Sequence, residues 1–249
     1  MFSDAGKAAL RTAMARRCLL AFDFDGTLAP IVPLPESAHT PTGIARRLAV
    51  LATLCPVAVI TGRAVDDVRR RLGFSPTYIL GNHGAEGWAD LDPARQSRQL
   101  DGLRATLRAR QAALGALGVR VEDKRLSLAL HYRSAPERAR ALAFIDRLLA
   151  DFVPPLKAFG GKCVVNVVVA DAPHKGEALT ALAQRTEAEA VVFIGDDLND
   201  EAAFEIAPSH WLTVRVGDAG ADSAARYFIE SHAHIAHLLQ DMIDLRAAP

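Results

Sequence analysis

Two carboxylates separated by one residue, Asp23 and Asp25, follow the apolar run Cys18–Phe22. That run reads as a strand buried on both faces. Two acids at the end of such a strand repel one another, and both resist leaving water unless a cation or hydrogen-bond donors compensate them. A second acidic group, Asp196, Asp197 and Asp200, follows another apolar run, Val191–Ile194. Thr61 and Gly62 end a third run, Pro56–Ile60, and Lys175 opens a helix after Pro173. In an open α/β sheet the carboxyl ends of parallel strands share one edge, and ligands bind there. Acids brought together at that edge form an oxygen-ligand site suited to Mg²⁺. The Thr61 hydroxyl, the unobstructed Gly62 backbone and a lysine at a helix N-terminus add an anion site. Together they suit phosphoryl transfer, in which an Asp attacks phosphorus, a second carboxyl moves the proton, and the cations offset phosphate charge.

The elements that position these residues alternate. A short leading helix is predicted over 5–16, and a proline-rich loop over 30–39. Thr40 and Pro41 signal a helix whose inner stripe is Ile44, Leu48 and Leu51. A charged helix is predicted over 64–72, and a short strand over 78–80. After Pro173 come a helix to about Gln184, the strand at 191–194, strands over 212–216 and 227–229, and a last helix over about 232–245. Its His232, His234 and His237 have no metal-ligand spacing and read as helix-surface residues. Strands alternating with helices imply a parallel sheet with helices on both faces.

The middle block differs. One long Arg-rich helix is predicted over 98–117. Beyond Gly118 the chain alternates with a period of two. Val119 and Val121 oppose Arg120, Glu122 and Lys124. Leu126, Leu128, Leu130 and Tyr132 oppose Ser127, Ala129, His131 and Arg133. A helix after Pro136 carries Leu142, Ile145, Leu149 and Phe152, and a strand over Lys162–Val169 puts Lys162 and Asn166 on one side. The block reads as a small α+β unit. One sheet face packs on helices, and the other carries Glu122, Lys124, His131, Arg133, Lys162 and Asn166.

Asp23-Phe24-Asp25-Gly26-Thr27, Thr61-Gly62-Arg63, Lys175-Gly176 and Gly195-Asp196-Asp197 with Asp200 resemble, in order, the four motifs of haloacid-dehalogenase (HAD) superfamily phosphatases. The resemblance implies an α/β fold: a Rossmann-like, doubly wound parallel sheet (1–97 and 171–249) with an inserted α+β cap (98–170) that selects the substrate. It makes Asp23 the nucleophile and Asp25 the general acid/base, with Thr61 and Lys175 on the phosphate. Asp23, the Asp25 carbonyl and Asp196 would hold Mg²⁺, with Asp197 and Asp200 supporting. Gly81-Asn82-His83-Gly84-Ala85-Glu86, Glu122-Asp123-Lys124, His131-Tyr132-Arg133 and Gly160-Gly161-Lys162 are further similar to trehalose-6-phosphate phosphatases. By that resemblance Glu122, Lys124, Arg133 and Lys162 contact sugar or phosphate, and Gly62, Arg63, Asn82, His83 and Asn166 complete the substrate-binding set. One position departs: Asn166 stands where that family usually has a Glu, a sugar ligand. Asn can hydrogen-bond a hydroxyl but lacks the charge and a methylene of reach.

The expected reaction is hydrolysis of trehalose 6-phosphate. A related glycosyl phosphate, such as sucrose phosphate or mannosylglycerate phosphate, and a phosphomutase reaction on the same fold stay open. A signalling receiver also groups acids, a Thr and a Lys, but lacks the inserted block and the nucleophile on the first strand. A catalytically dead sensor has no support, since both Asp23 and Asp25 are present.

Composition narrows the partners. The 249 residues are 50% hydrophobic, which allows a sizeable core, and 29 basic residues balance 29 acidic ones. Zero net charge gives no overall pull toward nucleic acid or an anionic membrane. Cys18, Cys55 and Cys163 sit inside apolar runs without metal-ligand spacing and are expected as reduced core thiols. The first residues lack a signal-peptide apolar region. The expectation is a cytoplasmic monomer acting on a small sugar phosphate.

Overall fold

The computed structural model describes residues 1–88, 92–218 and 222–247. The chain forms two compact units, Met1–Gly87 with Pro173–Pro249 (unit 1) and Trp88–Ala172 (unit 2).

Unit 1 is built on six parallel strands: β1 (Cys18–Phe22), β2 (Val57–Ile60), β3 (Tyr78–Leu80), β8 (Ala190–Gly195), β9 (Leu212–Val216) and β10 (Tyr227–Ile229). Their spatial order is β10-β9-β8-β1-β2-β3. The chain winds outward from β1 to β3 on one side and from β8 to β10 on the other, so the order reverses between β1 and β8. Register aligns Phe22 with Val59 on one side and with Ile194 on the other, which brings the ends of three strands level. Alternate strand residues serve opposite faces. Leu20, Phe22, Val57, Val59, Val192 and Ile194 share a core with α1 (Asp4–Met14), α2 (Thr42–Leu54) and α10 (Ile235–Ala247). On the other face α8 (Lys175–Arg185) packs on α9 (Leu198–Ile206), whose Phe204 ring lies 5.5 Å from that of Phe193. Helices on both faces explain why every residue of β1, β2 and β8 is buried. The α2 stripe of Ile44, Leu48 and Leu51 is buried as its spacing predicts. The helix predicted over 64–72 is shorter, α3 (Val65–Arg69). His232–His234 form a 3₁₀ turn ahead of α10, and the His232 ring meets the Leu28 carbonyl at 3.2 Å, so His232 is not a helix-surface residue.

Unit 2 carries an antiparallel sheet, β4 (Arg120–Asp123), β5 (Leu128–His131), β7 (Val164–Val169) and β6 (Leu156–Gly161), in the order β4-β5-β7-β6. Leu128, Leu130, Val165, Val167 and Val169 form one core with Leu103 and Leu107 of α5 (Asp101–Ala109) and Ile145 and Leu149 of α7 (Arg138–Leu149).

Three expectations for this block change. The helix predicted over 98–117 is three helices: α4 (Pro93–Gln99), α5 and α6 (Gln111–Ala116). Asp92 caps α4, its Oδ1 accepting from the Ala94 and Arg95 amides at 3.0 Å, and the chain turns at Leu100 and Arg110, where ψ moves to −8° and 10°. The strand predicted from Lys162 begins at Val164. Lys162 and Cys163 form the two-residue turn between Gly161 and Val164, which pair across the ladder, and Cys163 has φ 62°. Its partner strand β6 was hidden by Gly160 and Gly161, which carry no strand signal. Cys163 is accordingly half-buried, not a core thiol, whereas Cys18 and Cys55 are buried. On the sheet, Val121 is exposed on edge strand β4, while Ser127, Ala129 and Asn166 are buried.

Candidate functional site

Asp23 continues β1 by one residue, and its amide donates to the Ile194 carbonyl of β8 at 2.8 Å. Asp196 follows β8 directly. Lys175 is the first residue of α8, started by a reciprocal cap. The His174 Nδ1 accepts from the Gly176 amide at 3.1 Å, and the Glu177 carboxylate accepts from the His174 amide at 3.0 Å. Gly176 permits α8 to approach α9, since a Cβ there would lie 2.4 Å from the Ala202 carbonyl oxygen. The cap thus aims the Lys175 side chain into the edge of the sheet. Its Nζ donates to Asp23 Oδ1 and Asp200 Oδ1, each at 2.7 Å.

Asp200 lies in the first turn of α9. Its Oδ2 accepts from the backbone amides of Asp196 (2.9 Å) and Asp197 (3.0 Å). Both oxygens are therefore engaged, and Asp200 fixes the loop that presents Asp196. Asp197 serves as the cap of α9, accepting from the Leu198 amide at 2.8 Å and from Asn199 Nδ2 at 3.1 Å. Gly26, at φ +86°, lets backbone pass against Asp196: a Cβ there would come within 2.2 Å of its Oδ2.

Asp23, Asp196 and Asp200 are buried, and each offers a carboxylate oxygen within 4.8 Å of the others. Lys175 is the cation bonded within this group. Burial pushes the Asp23 carboxyl well above the usual carboxylate range. Lys175 pulls it back, and Asp200 and Asp196 push it further up. Burial also disfavours the Lys175 ammonium, but Asp200 and Asp23 outweigh it and hold its pKa above the ordinary value. Three buried acids against one lysine leave negative charge that a small dication would neutralise. The donor set is all oxygen, as Mg²⁺ prefers. The residues present fit that ion.

The second strand contributes differently. Thr61 is buried, and its hydroxyl accepts from the Arg63 amide at 3.2 Å. Gly62 lies beside His83: a Cβ there would stand 2.5 Å from the imidazole Cε1. Asn82 and His83 take left-handed backbone angles, with φ 49° and 62°. The segment is tied down by the Asn82 amide to the Arg63 carbonyl, the His83 amide to the Thr61 carbonyl, and Asn82 Nδ2 to Glu86 at 2.7 Å.

Asp25 is set apart from the acid cluster. Arg63 holds its carboxylate through two bonds of 2.7 Å, from Nε and Nη2. The same guanidinium donates to Asp67 at 2.9 Å and to the Pro35 carbonyl at 2.8 Å, and it lies 5.2 Å from the Phe24 ring centre. Arg63, expected among substrate ligands, thus spends its donors on protein groups. Asp67 was not anticipated; its place four residues after Arg63 on α3 is the signal that could have found it.

In unit 2, Glu122, Ala129, Asn166 and Phe159 align across the four strands. The His131 ring meets Glu122 Oε2 at 2.8 Å, and this bond holds the Glu122 pKa at about 2. Lys124 lies one residue past β4, Arg133 two past β5, and Lys162 one past β6. Arg133 Nη2 donates to the Lys162 carbonyl at 3.2 Å, joining two of the expected ligands at one end of the sheet. Among the described residues no helix is long and apolar enough to cross a membrane.

Comparisons with known proteins converge. A trehalose-phosphate phosphatase of Mycobacterium tuberculosis is 32% identical over 263 residues, which cover 95% of this chain and 64% of that protein. An uncharacterized glycosyl hydrolase of the same organism is 35% identical over 209 residues, covering 78% of this chain and 16% of its own length. The chain thus spans less than two thirds of these curated relatives. The C-terminal domain of trehalose-6-phosphate phosphatase from C. albicans shares the fold with a TM-score of 0.81 at 20% identity, each chain covered to 96%. The family profile described as trehalose-phosphatase matches residues 21–230, a span that begins inside β1 ahead of Asp23 and runs past both acidic groups, and the chain belongs to that family.

Proposed function

We propose that this chain is a Mg²⁺-dependent phosphatase that hydrolyses trehalose 6-phosphate through an aspartyl-phosphate on Asp23. The observation that carries the reading is the buried group of Asp23, Asp196, Asp200 and Lys175 at the reversal point of a parallel sheet. Family membership and the relatives' names support the substrate.

Lys175 holds Oδ1 of Asp23 and so fixes the rotation of the carboxylate that attacks phosphorus. The bond from phosphorus to the sugar oxygen breaks as the one to Asp23 forms, and the departing oxygen takes a proton from Asp25. Water then attacks the same phosphorus, Asp25 takes up its proton, and Asp23 is released with inorganic phosphate. Asp25 meets this role by sharing or releasing a carboxyl oxygen now held by Arg63. Thr61 and Lys175 bind phosphate oxygens, beside the Gly62 backbone. Asp23, the Asp25 carbonyl and Asp196 would hold Mg²⁺, while Asp200 and Asp197 orient Asp196 and its loop. Bound there, the ion neutralises phosphate charge that otherwise repels a carboxylate nucleophile.

Unit 2 is assigned the choice of sugar, through Glu122, Lys124, Arg133, Lys162 and Asn166, with Asn82 and His83 completing the substrate set. The test is phosphate release from a panel of sugar phosphates, with Mg²⁺ and with chelator. Trehalose 6-phosphate should give the highest kcat/KM, and chelator should stop turnover. Preference for sucrose phosphate or mannosylglycerate phosphate would move the substrate. Full activity in chelator would remove the metal, and phosphate appearing on a second sugar position would indicate a mutase.

A further inference from the structure

Arg104 is a charged side chain buried within unit 2, only 8% exposed, and the phosphatase chemistry makes no use of it. It sits on α5 and spends every guanidinium N–H. Nε and Nη2 donate to the two oxygens of Asp123 at 2.8 and 3.2 Å. Nη2 also donates to the Arg125 carbonyl at 2.6 Å. Nη1 donates to the Ser97 carbonyl at 2.6 Å and to Asp101 at 2.8 Å. Asp123 and Arg125 are the residues on either side of Lys124. Asp123 Oδ1 accepts in addition from the Arg125 amide at 2.9 Å. Arg125 takes the left-handed conformation, φ 70°, and the Lys124 amide donates to the Ser127 carbonyl at 3.0 Å. The turn that presents Lys124 is therefore closed on itself by its backbone and gripped on both sides of one residue by a single planar fork.

We infer that Arg104 is a positioning residue for substrate selection: it fixes the backbone flanking Lys124, and with it the direction in which Lys124 meets a sugar phosphate. The inference rests on the reading that Lys124 binds that substrate. A solvated surface arginine would not be buried with five donors placed. A plain structural staple would hold the fold together but would not act through one neighbouring side chain. Only a rigid fork reaches a carboxylate, two carbonyls and a second carboxylate at once; an ammonium presents its donors from one point.

The experiment is a double-mutant cycle on the full chain with Mg²⁺, using trehalose 6-phosphate and 4-nitrophenyl phosphate. Arg104→Lys should lower the ratio of kcat/KM for the disaccharide phosphate over that for the aryl phosphate by about tenfold, mainly through KM. In a Lys124→Ala background the same substitution should change that ratio by less than about twofold, because the group it positions is gone. Equal losses on both substrates, or an undiminished effect in the Lys124→Ala background, would overturn the inference. If Arg104→Lys does not fold, Asp123→Asn replaces it, keeping shape while removing the carboxylate charge, with the same two outcomes decisive. Failure of the underlying reading shows separately. If Lys124→Ala alone leaves the substrate ratio unchanged, Lys124 does not bind the sugar, and the inference falls with that reading.

Discussion

Removing the Lys175 ammonium tests whether the acidic group is held as described. Lys175→Met keeps an unbranched four-atom stem and deletes the buried ammonium bonded to two carboxylates at 2.7 Å each. Deleting one partner of a buried ion pair costs about 3–5 kcal/mol, because the charge left behind has neither water nor partner. A unit of this size shifts its melting temperature by about 2–4 °C per kcal/mol, so the variant should melt about 6–20 °C below wild type in chelator. Two conditions modulate that gap. Saturating Mg²⁺ should narrow it, since the ion binds the folded state and offsets the same carboxylates. Lower pH should narrow it as well. The folded-state pKa of Asp23 is already raised, and losing Lys175 raises it further. Protons are then bound more tightly by the folded than by the unfolded variant, so its stability falls relative to wild type as pH rises. Thermal unfolding of both proteins in chelator at pH 5.5 and pH 8, then with Mg²⁺, measures all three effects. Equal melting temperatures in chelator, or a gap that widens on acidification, would refute the account of Lys175 as the compensating cation.

Other expectations follow from the same geometry. Asp23→Asn should retain the fold by circular dichroism and release no phosphate, because an amide cannot form the acyl phosphate; normal turnover would reassign the nucleophile. Gly26→Ala should lose Mg²⁺ affinity in titration calorimetry, since its Cβ would fall 2.2 Å from Asp196 Oδ2 at a φ of +86° that itself costs an L-residue about 1–2 kcal/mol; unchanged affinity would separate Asp196 from the metal. Glu122→Ala should reduce turnover of the disaccharide phosphate more than that of an aryl phosphate, by about 0.5–1.5 kcal/mol for one lost hydrogen bond. Asn166→Glu should keep or raise activity on trehalose 6-phosphate, and its abolition would point to a different glycosyl phosphate.

Much of the sheet was legible in the chain. Cys18–Phe22, Val57–Ile60 and Ala190–Gly195 are apolar throughout because both faces are covered, and each ends at a polar residue that has only the sheet edge to occupy. The α2 stripe was legible for the same reason: burial writes its period directly into sequence. The grouping of Asp23 with Asp196 followed from parallel strands sharing one edge, whatever their separation along the chain. Local patterns said least where strands lie at an edge or carry glycine. β6 was missed because Gly160 and Gly161 have no side chains to show a face, and the placing of Lys162 in a turn went with it. The division of residues 93–116 into three helices depends on the Asp92 cap and on turns at Leu100 and Arg110, which helical periodicity does not register. Partner choice among charges was decided only by the folded chain. Asp25 lies against Arg63, Lys175 against both Asp23 and Asp200, and Arg104 against the turn around Lys124. Sequence lists the charges, but an ion pair forms where packing brings two of them within about 3 Å and excludes the water that would otherwise separate them.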